Sequence, residues 1–351
     1  MADNLTVYIG NYTKGEEAAV YRGVIDSANG ALQIVGSTRC EDAPSYLALH
    51  PTGKFLYVVS ETNTHDGGGA VSAFAVDDSG DLTFLNLQPT GGSPCHNTVD
   101  ASGRYVLSAN YGGGSVSMHP IGTDGSLGEM SDFRQHEGSS VNPSRQQEPH
   151  AHSINVDPSN RFAFCADLGL DKVLIYRLDL DGGKLLDHGS VAVTPGAGPR
   201  HFVVHPNRRK AYVINEISNT ITAFDWDESA GTLTEIQEIP TVPDDFAGTT
   251  HTADIHVTPD GRFLYGSNRG HDSIAMFAID AASGQLTALG VQPVPANPRN
   301  FVLSPDGDSL YSGSHNDDRI QLYRVGDDGL LTATGDAVET PSPVCLKFLS
   351  R

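Results

Sequence analysis

The sequence predicts an all-β fold, a seven-bladed β-propeller with four antiparallel strands in each blade. Three observations support this prediction. A short hairpin pattern recurs six times at a spacing of about 50 residues, the range typical of propeller repeats. Two further strand-like segments follow each hairpin. Finally, the chain begins with three strands that lack a first strand, and it ends with a single strand.

The hairpin pattern is clearest between Gly198 and Glu216, in GPRHFVVHPNRRKAYVINE. Two short apolar runs flank the polar turn Pro206–Arg209, as in an antiparallel hairpin. Arg200 opens the first strand and Glu216 follows the second, so both lie at the end away from the turn. The other copies align without gaps at Ala43–Glu61, Ser93–Tyr111, His150–Leu168, His251–Arg269 and Asn297–His315.

The segments after each hairpin predict two more strands per repeat. The third strands are predicted at Ala70–Val76, Ser115–Pro120, Lys172–Leu178, Thr220–Trp226, Ser273–Ile279 and Arg319–Val325. An Asp/Gly turn and a fourth strand come next, as in DDSGDLTFLNL and DAASGQLTALG. Helical periodicity is nearly absent, and repeats of four strands are typical of propeller blades.

The two ends of the chain predict how the ring closes. Residues 5–36 resemble the second, third and fourth strands of a blade, and residues 342–349, SPVCLKFL, resemble the missing first strand. The two segments would share the seventh blade, which leaves no open blade to unzip. Because no linker or composition shift interrupts the repeats, we expect residues 1–351 to form a single domain.

Composition argues against several classes of partner. The formal net charge of -21 disfavours binding to nucleic acid and to anionic membranes. No signal peptide or apolar run of membrane length is visible, and the four cysteines are scattered without a paired motif. These features predict a reduced, cytoplasmic protein, which we expect to be a monomer or a weak homo-oligomer.

The common register of the hairpins places two rings of residues at one mouth of the central channel. The residues that open the first strands are Ser45, Cys95, His152, Arg200, Ala253, Arg299 and Val344. The residues that follow the second strands are Glu61, Tyr111, Leu168, Glu216, Arg269, His315 and Tyr12. The connections 137–148 and 242–250 lead from fourth strands to the next first strands, so they reach the same mouth and are candidate lids.

Charged side chains gather at this mouth, mostly in blades four to six, where His150, His201 and His251 join the two rings. An excess of cations within an acidic protein suits a small anionic ligand, and arginine matches carboxylate or phosphate groups. A salt-bridged polar plug is the alternative explanation. No Asp, Glu and His set has a convincing spacing for zinc, and we expect neither a metal nor another cofactor.

Ten motifs extend this picture over nearly the whole chain. They are YIGNYT, PSYLALHPTGKFLYVV, GGSPCH, ANYGGGSVS, PHAHSINVDP, ADLGLDKVLIYRLD, PGAGPRHFVVHP, VINE, ADIHVTPDGRFLYGSNRGHDSIAMF and PSPVCLKF. With them the chain resembles the seven-bladed lactonase family. That family includes the propeller-type 6-phosphogluconolactonases and is similar to the fungal muconate-lactonizing enzymes, so the resemblance implies a lactonase propeller that needs no metal.

The resemblance also implies a site. In the muconate-lactonizing members the proposed site is one His, two Arg and one Glu. By motif these correspond to His150 or His152 of PHAH, Arg200 of GPRH, Glu216 of INE and Arg269 of SNRG. The hairpin register favours His152, so the predicted catalytic residues are His152, Arg200, Glu216 and Arg269. Further substrate contacts are predicted at His150, His201, Asn215, Asn268 and Arg299.

Lactone hydrolysis requires an activated water, a stabilised oxyanion and a proton for the leaving oxygen. We expect Arg200 and Arg269 to hold the anionic group and the oxyanion, and Glu216 and His152 to share the proton transfers. The expected enzyme is a carboxylic-ester hydrolase that acts on a small anionic sugar lactone, above all 6-phosphogluconolactone. A muconate-type cycloisomerase is one alternative, and a non-catalytic propeller that binds a metabolite or a partner is another.

Overall fold

Burial along each repeat explains which strands lie inside the ring. In the fourth repeat the second strand, KAYVIN, is buried throughout, whereas the fourth strand, TLTEIQEIP, mixes buried and exposed residues. A strand covered on both faces needs a continuous apolar run, and a strand with one solvated face does not. The computed structural model describes residues 5–65 and 67–349, which form 28 strands and a 3₁₀ turn at Gly15–Glu17.

These strands form seven sheets of four antiparallel strands each, so the predicted propeller is confirmed. Blade 1 contains β4 (Tyr46–Leu49), β5 (Phe55–His65), β6 (Gly68–Val76) and β7 (Leu82–Pro89). Blade 2 contains β8 (Pro94–Val99), β9 (Tyr105–Asn110), β10 (Ser115–Pro120) and β11 (Asp132–Gln135). Blade 3 contains β12 (Ala151–Val156), β13 (Phe162–Asp167), β14 (Lys172–Asp179) and β15 (Lys184–Ala192).

The next three blades repeat the same order. Blade 4 contains β16 (Pro199–Val204), β17 (Lys210–Asn215), β18 (Thr220–Asp227) and β19 (Thr232–Pro240). Blade 5 contains β20 (His251–Val257), β21 (Phe263–Arg269), β22 (Ser273–Ile279) and β23 (Leu286–Pro293). Blade 6 contains β24 (Pro298–Leu303), β25 (Ser309–Ser314), β26 (Arg319–Val325) and β27 (Leu331–Glu339).

Blade 7 joins the two ends of the chain, as the sequence predicts. Its strands are β28 (Pro343–Phe348), β1 (Leu5–Asn11), β2 (Ala19–Ile25) and β3 (Leu32–Arg39), in that order across the sheet. The antiparallel register of β28 and β1 pairs Leu346 with Ile9 and Phe348 with Val7. The innermost strand β28 also contacts β24 and β4, which closes the ring.

A β-bulge near the start of six innermost strands turns the first predicted ring toward the channel. The pairing of β12 with β13 skips His152, that of β16 with β17 skips Arg200, and that of β24 with β25 skips Arg299. A similar register shift occurs in β8, β20 and β28. A bulged residue leaves the regular ladder, and this re-aims its side chain. The repeat therefore delivers different side chains to equivalent places at one mouth.

Tyrosines of the second strands connect neighbouring blades at five places in the ring. Five of them donate a hydroxyl hydrogen bond to the backbone carbonyl of a glycine in the following blade, at 2.7–3.1 Å. The pairs are Tyr8–Gly80, Tyr57–Gly125, Tyr212–Gly284, Tyr265–Gly329 and Tyr311–Gly30. All five glycines have positive φ, which other residues avoid. The glycine turns thus present the backbone carbonyls that hold neighbouring blades together.

That residues 1–351 form one domain stays a prediction, and residues 1–4, 66, 350 and 351 lie outside the described part. The contacts from each innermost strand to the next support it. We propose on this basis that the ring unfolds as one unit. Within residues 5–65 and 67–349, no helix has the length and apolar character that a membrane span requires.

Candidate active site

Glu216 is the centre of a group of cations at the channel mouth. Its Oε1 accepts a hydrogen bond from Nη2 of Arg145 at 2.7 Å. Its Oε2 accepts from Nε of Arg200 at 2.9 Å and from Nη2 of Arg269 at 2.8 Å. Burial opposes the charge of Glu216, but Arg269 and Arg200 hold its pKa well below the usual range. Glu216 is therefore an ionised anchor for three guanidinium groups.

His152 lies beside this anchor but is hardly bonded to it. Its Nε2 is 3.8 Å from Oε2 of Glu216, and its Nδ1 is 3.6 Å from Sγ of Cys95. The side chain is buried, and burial together with Arg200 lowers the pKa of His152 well below its ordinary value. At neutral pH the ring is uncharged, and the nearby carboxylate of Glu216 is the group that favours its protonated form.

Arg145 is a member of the site that the sequence analysis did not identify. It lies on the connection 137–148, one of the two candidate lids, and its Nη2 also contacts the Tyr111 hydroxyl at 3.2 Å. The neighbouring Gln146 is fully buried and donates to the Leu168 carbonyl at 2.8 Å and to Asp171 at 2.6 Å. This anchor fixes the connection over the mouth. Strand register does not predict where the side chains of a loop lie. The repeat therefore predicts that the connection 137–148 lies at the mouth, but it does not identify Arg145.

Arg299 lies across the mouth and has no carboxylate of its own. Its guanidinium is 5.2 Å from the ring centroid of Tyr12, whose hydroxyl donates to Glu61 at 2.8 Å. Among the described residues, no carboxylate oxygen comes within 4.0 Å of a nitrogen of Arg299. Burial opposes its charge, but Tyr12 and Glu61 raise the pKa of Arg299. The result is a permanently charged cation that is free to bind a ligand.

The mouth as a whole is short of negative charge. Within the described part of the chain, four guanidinium groups face two carboxylates there; they are Arg145, Arg200, Arg269 and Arg299 against Glu61 and Glu216. Burial lowers the pKa of Arg269 to about 9 against the opposing pull of Glu216. The Nε of Arg269 is buried without a hydrogen-bond partner. An anion bound at the mouth would compensate this charge and supply acceptors.

Two other predicted residues lie next to the cluster. His150 stacks on Tyr111 with 4.5 Å between ring centroids, and its Nδ1 lies 3.0 Å from the Tyr111 carbonyl oxygen. His201 lies beneath Arg200, with its Nε2 3.1 Å from Nη1 of that arginine. His150 is thus part of the rim, whereas His201 supports the site from below.

The two predicted asparagines lie elsewhere. Asn215 and Asn268 are fully buried. The Asn215 amide donates to the hydroxyls of Thr220 and Thr222 in β18, and the Asn268 amide donates to the Thr241 carbonyl after β19 and to the Ser273 hydroxyl in β22. Successive residues of a strand point to opposite faces, so a residue just before Glu216 or Arg269 faces away from the mouth. We therefore leave both asparagines out of the proposed site.

A separate surface cleft lies at the opposite end of blade 4. It has a volume of about 790 Å³ and is lined chiefly by residues 207–210 and 225–229. Two ion pairs lie within it, Arg208 with Glu228 and Lys210 with Asp225, and no histidine lines it. The cleft therefore lacks the imidazole that the mouth offers for acid–base catalysis. In the described part of the chain, no group of three or more His, Cys, Asp or Glu side chains is arranged to hold a metal ion.

The buried histidines make the fold sensitive to acid. Burial and Arg200 lower the pKa of His201 to about 4, and burial lowers those of His152 and His96 well below 6.5. Between about pH 6.5 and 4 the unfolded chain binds more protons, so stability falls by about 1.4 kcal/mol per pH unit for each histidine. We expect the melting temperature, measured by circular dichroism from pH 8 to 4, to fall steadily below pH 6.5. A flat profile would contradict this.

Comparison with known proteins agrees with the fold and identifies the family. The model of the family "Lactonase, 7-bladed beta-propeller" matches residues 6–348. A 6-phosphogluconolactonase of Bacillus subtilis is 38% identical over 346 residues, 97% of each chain. One of Formosa agariphila is 32% identical over 330 residues, 91% of this chain and 92% of that protein.

A solved structure agrees as well. The Pseudomonas aeruginosa periplasmic gluconolactonase PpgL is 31% identical, with a TM-score of 0.93 and 99% of both chains covered. The fold, the closure of the ring and the matched residues all lead to the same conclusion. This chain belongs to the seven-bladed β-propeller lactonase family.

Proposed function

We propose that this protein hydrolyses 6-phosphogluconolactone to 6-phosphogluconate, with the channel mouth as its active site. The observation that carries the proposal is the convergence of His152, Arg200 and Arg269 on Glu216, with Arg299 unpaired opposite them. The relatives named 6-phosphogluconolactonase support the same substrate. The protein is then a carboxylic-ester hydrolase.

The arginines of the mouth differ in how many protein groups hold their guanidinium, and this difference suggests different roles. Arg200 and Arg269 are held by Glu216 and by backbone carbonyls, so their positions are fixed. Arg299 makes no ion pair with any described residue and is only partly buried. A fixed donor suits an oxyanion, which forms at one point, whereas an unpaired cation suits a phosphate. We assign the phosphate to Arg299 and the lactone carbonyl to Arg200 and Arg269.

His152 is the better candidate for the general base. Both oxygens of Glu216 already accept hydrogen bonds from arginines, which makes that carboxylate a weak base. His152 is neutral, and its Nε2 is 3.8 Å from Glu216, close enough for the carboxylate to stabilise the imidazolium that forms. Base catalysis by a placed histidine contributes about 100-fold or more.

The steps balance without a cofactor. Water attacks the carbonyl carbon while His152 takes its proton, and the carbonyl oxygen becomes an oxyanion beside Arg200 and Arg269. When the tetrahedral intermediate collapses, the bond from the carbonyl carbon to the ring oxygen breaks. The imidazolium of His152 returns its proton to that oxygen, which becomes the hydroxyl of the product. The acid formed is a carboxylate at neutral pH.

An unphosphorylated sugar lactone is a second candidate substrate, because the neighbour PpgL is a gluconolactonase. The two candidates differ in one group, the phosphate, and the mouth offers one unpaired guanidinium for it. A cycloisomerase would instead bind two carboxylates on an unsaturated chain. The assay therefore compares 6-phosphogluconolactone, gluconolactone and muconate, each corrected for spontaneous lactone opening.

Replacing Arg299 with alanine separates the two lactones. A hydrogen bond between charged groups contributes about 1.5–3 kcal/mol, so we expect KM for 6-phosphogluconolactone to rise about 10- to 100-fold. We expect kcat/KM for gluconolactone to stay near the wild-type value. Arg262→Ala is the control, because Arg262 is exposed at the far end of blade 5. Equal losses with both lactones would show that Arg299 does not bind the phosphate.

The setting of the enzyme is also a proposal. The substrate is a small lactone, and all four cysteines are free thiols, as in proteins of reducing compartments. We propose that the enzyme works in the cytoplasm as a monomer or a weak homo-oligomer, without nucleic-acid or membrane partners. The strong negative charge supports the last point.

A further inference from the structure

A second buried carboxylate, Asp254, lies beneath the arginines. It is 3% exposed, so it does not reach a ligand at the mouth. Its oxygens accept hydrogen bonds from Nδ1 of His201 at 2.7 Å, from Nε2 of His256 at 3.1 Å and from the amide of Asn300. The backbone amide of Ile255 donates as well, at 3.0 Å. Burial opposes ionisation, but His256 and His201 hold the pKa of Asp254 well below the usual range.

His201 connects this carboxylate to the reaction centre. Its Nδ1 faces Asp254, and its Nε2 lies 3.1 Å from Nη1 of Arg200. A guanidinium can only donate, so Nε2 must be the acceptor and the ring proton must lie on Nδ1. Asp254 accepts that proton's hydrogen bond, which fixes the ring in the tautomer that Arg200 requires.

Arg200 is therefore held at three points. Nε donates to Glu216 at 2.9 Å, and Nη1 donates both to the Ala253 carbonyl at 2.6 Å and to His201. The remaining nitrogen, Nη2, has no hydrogen-bond partner among the described residues. The three contacts fix the plane of the guanidinium and leave this one nitrogen to point at a ligand.

We propose that His201 and Asp254 are positioning residues that fix the tautomer and the plane from which Arg200 donates to the oxyanion. The inference rests on the proposed function and deepens it. Oxyanion stabilisation needs donors placed before the reaction starts, and a misplacement of about 1 Å costs on the order of 100-fold in rate. A protonated or flipped His201 would present a donor to Arg200 and displace it.

The chain offers a matched control, because two histidines share the same carboxylate. His201 bridges Asp254 to Arg200, whereas His256 bonds to Asp254 and contacts Phe301 but not the arginines. We expect His201→Phe to lower kcat about 10- to 100-fold with KM nearly unchanged, because the oxyanion exists only in the transition state. His256→Phe should lower kcat by no more than about twofold. His201→Gln, whose amide can accept from Arg200 and donate to Asp254, should recover part of the loss.

A double-mutant cycle separates positioning from general support of the fold. If His201 acts through Arg200, His201→Phe should cost almost nothing further in an Arg200→Ala background. The same fold-loss in both backgrounds would overturn the proposal, as would equal effects of His201→Phe and His256→Phe.

A measurement without turnover covers the case in which a variant does not fold or the wild type does not act on lactones. Nitrogen-15 correlation spectra of the histidine rings in the wild-type protein, assigned with His201→Gln, report which nitrogen carries the proton. We expect Nδ1–H on His201 at pH 7. A proton on Nε2 would overturn the positioning role. An inactive wild type with Nδ1–H would instead reject the proposed reaction and leave this arrangement intact.

Discussion

We expect His152→Asn to lower the turnover of 6-phosphogluconolactone about 100-fold or more, the usual scale for a lost general base. The melting temperature should change little, because the ring nitrogens of His152 make no hydrogen bond to nitrogen or oxygen atoms of the described residues. Stability should fall by only about 1 kcal/mol, mainly through lost packing. Steady-state kinetics, corrected for spontaneous opening, and a thermal melt of the same sample measure both effects.

His150 provides the matched control for this variant. The two histidines occur in one motif, PHAH, and the sequence alone left both as candidates. His150 stacks on Tyr111 at the rim, whereas only His152 lies within 4 Å of Glu216. His150→Asn should therefore cost far less turnover than His152→Asn. The reverse order would transfer the role of base to His150 and contradict our assignment.

Mutation of Glu216 tests catalysis less directly than mutation of His152, although loss of Glu216 should also abolish catalysis. Glu216→Gln would leave Arg145, Arg200 and Arg269 around a neutral side chain. Breaking a buried charge pair by removing one partner costs about 3–5 kcal/mol, so lost activity could not be separated from lost structure. The exposed Glu148 of the same region offers a control that keeps its activity when changed to Gln.

The second large effect concerns closure of the ring. Deletion of residues 342–351, the last two of which lie outside the described part, should remove most of the stability of the protein. It takes away β28, whose Val344, Cys345 and Leu346 are buried, and it exposes β1 as a free edge. Burying one aliphatic side chain contributes about 1.5–3 kcal/mol, against a total stability of about 5–15 kcal/mol. We expect a melting temperature lowered by more than about 10 °C, or an aggregated product.

A circular permutant separates the missing strand from a merely shortened chain. The end of β28 lies beside the start of β1, since the amide of Leu349 donates to the Thr6 carbonyl at 2.8 Å. Residues 342–349, placed ahead of Leu5 through a short glycine-rich linker, should restore the melting temperature of the truncated protein. If the truncated protein itself melted like the wild type, β28 would not be what closes the ring.

The fold could be predicted from sequence because the same strand pattern occurs in six copies along the chain. Each hairpin has the same spacing of apolar runs and turn residues. An ambiguous strand assignment in one copy can therefore be resolved from the aligned copies. The same register predicted that Arg200, Glu216 and Arg269 meet, although they belong to two different blades. The structure adds the cause, a recurrent bulge near the start of six innermost strands that turns a residue such as Arg200 into the channel.

Other features of the site could not be predicted from the strand register of the hairpins. Arg145 enters the site from a loop, where position depends on Gln146 and its buried contacts rather than on strand pairing. The role of Asp254 depends on a proton position two side chains away from the ligand. Asn215 and Asn268 looked like ligand contacts because of their neighbours in sequence, but the alternation of a strand turns them away.

A crystal structure of the protein with 6-phosphogluconate tests the central claim, that the mouth around Glu216 binds and opens the lactone. We predict the phosphate within about 3 Å of Arg299, and the carboxylate oxygens at the same distance from Arg200 and Arg269. Product bound instead in the cleft lined by residues 207–210 and 225–229, with the mouth holding only water, would contradict the account.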